Sequence, residues 1–255
     1  MKACCSALVA VLCLMVSPAV RVYGSSAATA VSDAPVPASV AVQPPTMVAP
    51  AWPADATGGI DPAVFGTALR AVACAVRSGD IRTPPSTLTV IDYSKPSTAQ
   101  RLWVFDLQSR QLLYREFVAH GQGSGDNVPT RFSNVAESHE SSLGLYVTEH
   151  TYVGKNGYSL RLRGLDKGFN DLAYERAIVM HGAPYVSEAF ARQQGRLGRS
   201  WGCPALRAAI AHELIDRVKE GGAVFAYGPD GDWLRTSKYL NGGCGGTAAP
   251  TLNTF

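Results

Sequence analysis

The chain reads as an α+β protein, mostly β with flanking helices. Several short segments alternate apolar and polar residues in the manner of strands, and two longer segments repeat apolar residues at helical spacing. The helices are not interleaved with the strands, which argues against a parallel doubly wound sheet. Hydrophobic residues make up 46 % and charged residues 17 % of the 255 positions, enough for a substantial core. That length suits one domain of ordinary size or two small ones. A formal charge of +3, with no Lys/Arg cluster interleaved with aromatics, gives no support to nucleic-acid binding.

From the N-terminus, Lys2 supplies a positive start, residues 7–16 are apolar, and Ser17, Pro18 and Ala19 break the run. A spanning helix needs roughly 20 apolar residues, so residues 1–24 read as a secretory signal, cleaved after Ala19, Gly24 or Ala28. A membrane anchor is the alternative. Cys4, Cys5 and Cys13 lie in this segment without the small-residue pattern of a lipoprotein site. Residues 25–57 are rich in Ala and Pro, have no period, and read as a linker. The folded domain is expected over residues 58–240 and a Gly- and Thr-rich tail over 241–255. Export leaves Cys74, Cys203 and Cys244, an odd count that points to one free thiol. Pairing of Cys74 with Cys244 leaves Cys203 alone; the other reading makes Cys74 a core residue on a helix.

Asp61 and Pro62 have the character of an N-cap and first helical position. Phe65, Leu69, Val72 and Val76 then repeat at helical spacing, giving a helix over residues 62–78. Strands are expected over residues 88–93, 101–107, 111–119, 144–151, 158–162, 176–180 and 223–227, separated by turns rich in Gly and Asn. A second helix is expected over residues 204–220. Its stripe is Leu206, Ile210, Leu214 and Val218, Arg217 and Lys219 occupy the last turn, and Gly221 stops it.

The stretch that carries chemistry runs from Arg176 through His181-Gly182 to Ser200-Trp201-Gly202-Cys203-Pro204. His181 is expected to end an apolar strand and face a cleft. Cys203 precedes a Pro suited to a first helical turn, a placement that commonly lowers a thiol pKa to roughly 3.5–7.5. Gly202 lets the backbone turn sharply and offers N–H groups to a developing oxyanion. Nucleophile, activating field and oxyanion donors then come from one segment, which suits attack on an acyl carbonyl.

His181-Gly182 followed by Ser200-Trp201-Gly202-Cys203 resembles the signature of the L,D-transpeptidase catalytic domain of the YkuD type. Ser141-Ser142-Leu143-Gly144-Leu145-Tyr146 is similar to a strand start in that family. Ala119-His120-Gly121 and Phe132-Ser133-Asn134 resemble elements of its murein branch. The resemblance covers about residues 84–227 and implies an L,D-transpeptidase-like β-sandwich that needs no metal or cofactor. It implies Cys203 as nucleophile, His181 as base, and the Gly182 carbonyl as the group that orients the imidazole, with Gly202 and Ser200 in support. The implied substrate is the peptidoglycan tetrapeptide stem. Cys203 releases D-Ala and an amine resolves the thioester into a 3→3 cross-link; water instead gives carboxypeptidase activity. The implied place is the periplasm or cell wall, with no transmembrane segment in the mature chain.

The family's Arg two residues after the Cys is Ala205 here, so the substrate carboxylate falls to Arg199, Arg207 or Arg163. His120, Asn134, Ser142, Tyr158, Arg199 and Trp201 are the candidates for substrate contact. Tyr152 and Tyr158 flank Gly154 and Gly157, the pattern of a hairpin lid. The run from Gly121 to Gly125 lacks the Lys-Ser/Thr of a phosphate loop, and His139, His150 and His212 read as exposed. Three rivals stand beside this reading: a zinc hydrolase using Cys203, His181 and His120, a binding module that keeps the fold without turnover, and a hydrolase on the same fold.

Overall fold

The computed structural model describes residues 52–244. The signal assigned to residues 1–24, most of the linker and residues 245–255 of the tail lie outside the described residues. Within those residues, no helix is long and apolar enough to cross a membrane.

The strands are β1 (Thr87–Asp92), β2 (Leu102–Asp106), β3 (Gln111–Glu116), β4 (Val118–Ala119), β5 (Gly144–Gly154), β6 (Gly157–Gly164), β7 (Val179–Ala183), β8 (Ala205–Arg207) and β9 (Ala223–Tyr227). They form one sheet in the order β3-β2-β1-β9-β5-β6-β7-β8-β4. The β1–β9 and β7–β8 pairs are parallel and the rest antiparallel. The first and last strands of that order are separated in the chain only by Phe117. One bent segment therefore borders both ends of the sheet, which curves into a nearly closed barrel. The single strand expected over residues 111–119 is thus two strands facing different partners, β2 and β8. The mostly β architecture with flanking helices is the one the sequence predicts.

Helix α1 (Pro62–Arg77) begins as expected, with the Asp61 side chain accepting from the Ala63 N–H. It buries Phe65, Leu69 and Val72 and packs on β1, β5 and β9. β1 is buried along its whole length, so it lacks the alternation of a half-exposed strand. N-terminal to residue 58, Trp52 packs edge-on against Phe65 and Phe105, at 5.0 and 5.3 Å between ring centres. Cys74 of α1 is disulfide-bonded to Cys244, which fastens the start of the tail to the first helix. Helices α2 (Glu188–Gln194) and α4 (Gly231–Thr236) are additional. Each is capped by a side chain, Ser187 and Asp230.

The helix expected over residues 204–220 is shorter. Helix α3 spans Ala208–Val218, and the residues before it form β8. Leu206 belongs to the sheet, where it faces Gly182 of β7 and Val118 of β4. Pairing on both sides outweighs the helical spacing of one apolar residue. The strand expected over residues 176–180 is displaced C-terminally to Val179–Ala183. Gly182 is therefore inside a strand, and the reason for glycine is clearance: a Cβ there would lie 2.9 Å from the Cβ of Ala211 on α3.

Candidate active site

His181 is the middle residue of β7, paired with Ser159 of β6 on one side and Ala205 of β8 on the other. Its ring leaves from a sheet face, not from a strand end. Nδ1 lies 3.0 Å from the carbonyl oxygen of Gly182. A carbonyl only accepts, so Nδ1 carries the proton and Nε2 keeps its lone pair. Burial holds the imidazole below its ordinary pKa, with the Gly182 carbonyl opposing. The ring is neutral near pH 7.

Cys203 is the free cysteine among the described residues, and it is buried. Its sulfur receives the Val179 N–H at 3.4 Å and lies 3.8 Å from the Ala177 carbonyl oxygen. Because β8 intervenes before α3, the thiol is not at a helix N-terminus, and the dipole expected to acidify it does not act there. Burial pushes the thiol above its ordinary pKa; the Val179 N–H, Arg176 and Arg161 pull the other way. At rest the pair is thiol and neutral imidazole.

The loop that presents Cys203 is held by its own backbone. The Ser200 hydroxyl donates to the Cys203 carbonyl at 2.6 Å and accepts the Gly202 N–H at 3.2 Å. Ser200 N–H donates to the His120 carbonyl, and Gln122 N–H to the Ser200 carbonyl. Gly202 has φ 118°, and a Cβ there would sit 2.8 Å from the Glu140 carbonyl oxygen, so only glycine fits.

A cleft of about 340 Å³ holds both Cys203 and His181. Ser200, Trp201 and Arg199 line it from the cysteine loop, Arg176 and Ala177 from before β7, and Tyr185 from after it. Lys155 and Asn156, at the tip of the β5–β6 hairpin, complete the rim. Trp201 is 65 % exposed and stacks on His139, with 4.9 Å between ring centres.

The structure therefore brings together Cys203, His181, Ser200, Arg199 and Trp201 in one cleft, with Gly182 and Gly202 beside them, and it places His120, Asn134, Ser142 and Tyr158 elsewhere. His120 is fully buried and does not line the cleft; its Nδ1 is 2.7 Å from Arg101 Nη2. Burial, then Arg101, lowers its pKa to about 3. The Cys/His/His set weighed for zinc is not assembled, and among the described residues no group of three potential ligands is. Ser142 accepts from Arg176 Nη1 at 2.6 Å and so supports the cleft from behind. Asn134 bonds Asp171 and lines a separate cleft with Phe132 and Phe169. Tyr158 turns to α3, where its hydroxyl donates to Asp216 at 2.6 Å and its ring stacks on His212. Arg207 is paired with Glu116, and Arg163 with Glu149.

Sequence reasoning missed Arg176, which opens the stretch first taken as a strand. Its guanidinium donates to the carbonyls of Ser133 and Glu140 and the hydroxyls of Ser138 and Ser142. Arg161 was missed as well; it faces Val179 across the sheet and lies over the rings of Tyr152 and Tyr174. A signal for Arg176 was present: a cation just ahead of the apolar run that ends in His181.

Among solved structures, the chain is similar to an L,D-transpeptidase from Mycobacterium smegmatis at 15 % identity, with 56 % of this chain and 59 % of that one covered and a TM-score of 0.35. It is similar to L,D-transpeptidase 3 from Mycobacterium tuberculosis in complex with a faropenem-derived adduct at 16 % identity, covering 57 % and 62 %, with a TM-score of 0.35. A third is an L,D-transpeptidase from Mycobacterium tuberculosis H37Rv, at 16 % identity, covering 57 % and 59 %, with a TM-score of 0.34. The chain thus spans about three-fifths of the length of these proteins. No curated protein matches. The family model of the L,D-transpeptidase catalytic domain matches residues 56–227, the segment that contains the whole cleft. By that match, over most of its length, the chain belongs to the L,D-transpeptidase catalytic domain family.

Proposed function

We propose that the chain is an exported L,D-transpeptidase that acts on peptidoglycan tetrapeptide stems through a Cys203 thioester. The observation that carries this reading is one cleft holding a free thiol and an imidazole whose Nε2 is left as an acceptor by the Gly182 carbonyl. Nε2 of His181 takes the thiol proton as the sulfur attacks the carbonyl that follows the L-centre of the diamino acid. The Cys203 N–H, which has no partner among the described residues, is the donor for the developing oxyanion. The Gly202 N–H is already used by Ser200, so those two residues shape the loop. Collapse expels D-Ala, whose amine takes the proton from His181. An acceptor amine then attacks the thioester, its proton passes to His181 and on to the departing sulfur, and a 3→3 cross-link results. No metal takes part in this scheme. The signal-like residues 1–24 support export to a periplasm or cell wall, and the wall itself is the partner.

Hydrolysis of the same thioester is the second reading, favoured by the exposure of Trp201, which leaves the rim open to water. The mature chain incubated with disaccharide-tetrapeptide, beside Cys203→Ala, separates the two by mass spectrometry. The expected product is a dimer lacking one D-Ala and absent from the variant. Tripeptide alone would favour hydrolysis, and no Cys203-dependent product or adduct would sink the thioester reading.

A further inference from the structure

Three cations line the cleft, Lys155, Arg176 and Arg199, and among the described residues no carboxylate lines it; Glu137 and Glu175 belong to an adjoining cleft that shares Arg176 and Trp201. Two of the three are already engaged. Arg176 makes four hydrogen bonds that hold residues 133–142 in place. Arg199 Nη1 donates to the Gly125 carbonyl at 2.8 Å and lies 3.7 Å from Asp126. The Lys155 side chain makes neither a hydrogen bond nor an ion pair with any described residue; its ammonium lies 5.8 Å from the centre of the Trp201 ring. Such a contact holds a cation near the thiol without neutralising it.

The placement is built, because Lys155 and Asn156 form the two-residue tip between the paired Gly154 and Gly157. The tip reaches across the cleft toward the cysteine loop, as the Lys155–Trp201 contact records. An ammonium on a flexible stem, with three rotatable donors, suits a carboxylate carried by a peptide that must enter and leave. We infer that Lys155 is the specificity-determining cation of this site, leaving the Trp201 ring to bind a free carboxylate of the acyl-donor peptide. The inference rests on the acyl-transfer reading of the cleft, and it names the side chain that selects the donor.

Binding is measured on Cys203→Ala chains so that it is independent of acylation. Disaccharide-tetrapeptide is titrated calorimetrically into the Cys203→Ala chain with Lys155 kept, with Lys155→Gln, and with Lys155→Arg. Three peptides are used: all carboxylates free, only the terminal D-Ala carboxylate amidated, and only the side carboxylates amidated. Gln is expected to weaken binding of the free peptide about tenfold, the scale of a charge-assisted hydrogen bond, while Arg retains most of the affinity. On the peptide amidated at the carboxylate that Lys155 reads, Gln should cost almost nothing, which tells the terminal group from the side groups. Loss of Trp201's cation should also change tryptophan emission when the free peptide binds. An equal loss on all three peptides, no loss on any, or no binding by the Cys203→Ala chain would overturn the inference. Thioester formation by the unaltered chain is followed separately. Carboxylate-dependent binding without any adduct would defeat the acyl-transfer reading and leave Lys155's ligand as assigned.

Discussion

The chain contains the dipeptide His-Gly twice, once directly after β4 and once inside β7: Ala119-His120-Gly121 and Met180-His181-Gly182. Both imidazoles are held below their ordinary pKa, chiefly by burial. Their chemistry is nevertheless opposite, and the partner at Nδ1 decides it. At His120 that partner is the Arg101 guanidinium, which only donates, so Nδ1 accepts and the proton sits on Nε2. Nε2 then has no hydrogen-bond partner among the described residues. At His181 the partner is a carbonyl, so the proton sits on Nδ1 and the Nε2 lone pair is left as an acceptor. One ring accepts a bond from a buried cation; the other is equipped to take a proton. A shared motif says little until the neighbour of one ring nitrogen is known.

The largest expected effect lies at the second histidine. His181→Ala should lower the acylation rate by about 10³–10⁴-fold, the scale of a lost general base, with little change in unfolding midpoint. In the unaltered chain, acylation should fall as the pH drops through the His181 pKa, which lies below the ordinary 6.5. An acidic limb above pH 6.5 would contradict the assignment.

The corresponding variant at the first histidine should act on stability. His120→Ala strands one Arg101 donor in the core and should cost about 3 kcal/mol in urea unfolding. The pH dependence follows from its pKa of about 3. Between 3 and 6.5 the unfolded chain binds a proton that the folded chain does not, so stability rises with pH across that window and is lost as pH falls toward 3. His120→Ala should flatten that slope, and an unchanged slope would show that other groups set it.

The smallest effect concerns the link between the two sites. Ser141 accepts the Gly121 N–H at 3.0 Å and donates to the Gly202 carbonyl at 3.2 Å, tying the first His-Gly pair to the cysteine loop. Ser141→Ala should cost about 1–2 kcal/mol in denaturant unfolding and slow acylation only a few-fold. A loss as large as that of His181→Ala would mean that the loop depends on this one hydroxyl.

Cys203 and His181 could be singled out as candidates because they sit in short ordered motifs, and α1 was legible because its cap and apolar stripe are local. The rest depended on distant pairing. Leu206 continues the α3 stripe by spacing, yet β4 and β7 claim it for the sheet. Gly182 lay beyond the expected strand because nothing in the sequence announces that Ala211 approaches it. Nor could the burial of His120 be read, since it depends on Arg101 nineteen positions earlier.

The last of the described strands, β9, lies between β1 and β5 near the middle of the sheet, with Leu88 opposite Ala223. Nascent polypeptide that has not yet delivered those residues can form hairpins such as β5–β6, but it cannot join the β1 side of the sheet to the β7 side. Pairing so distant in sequence is slow to close. The Cys203 thiol is synthesised before the frame that surrounds it can assemble, so a chain stopped short of residue 223 carries Cys203 without its finished cleft.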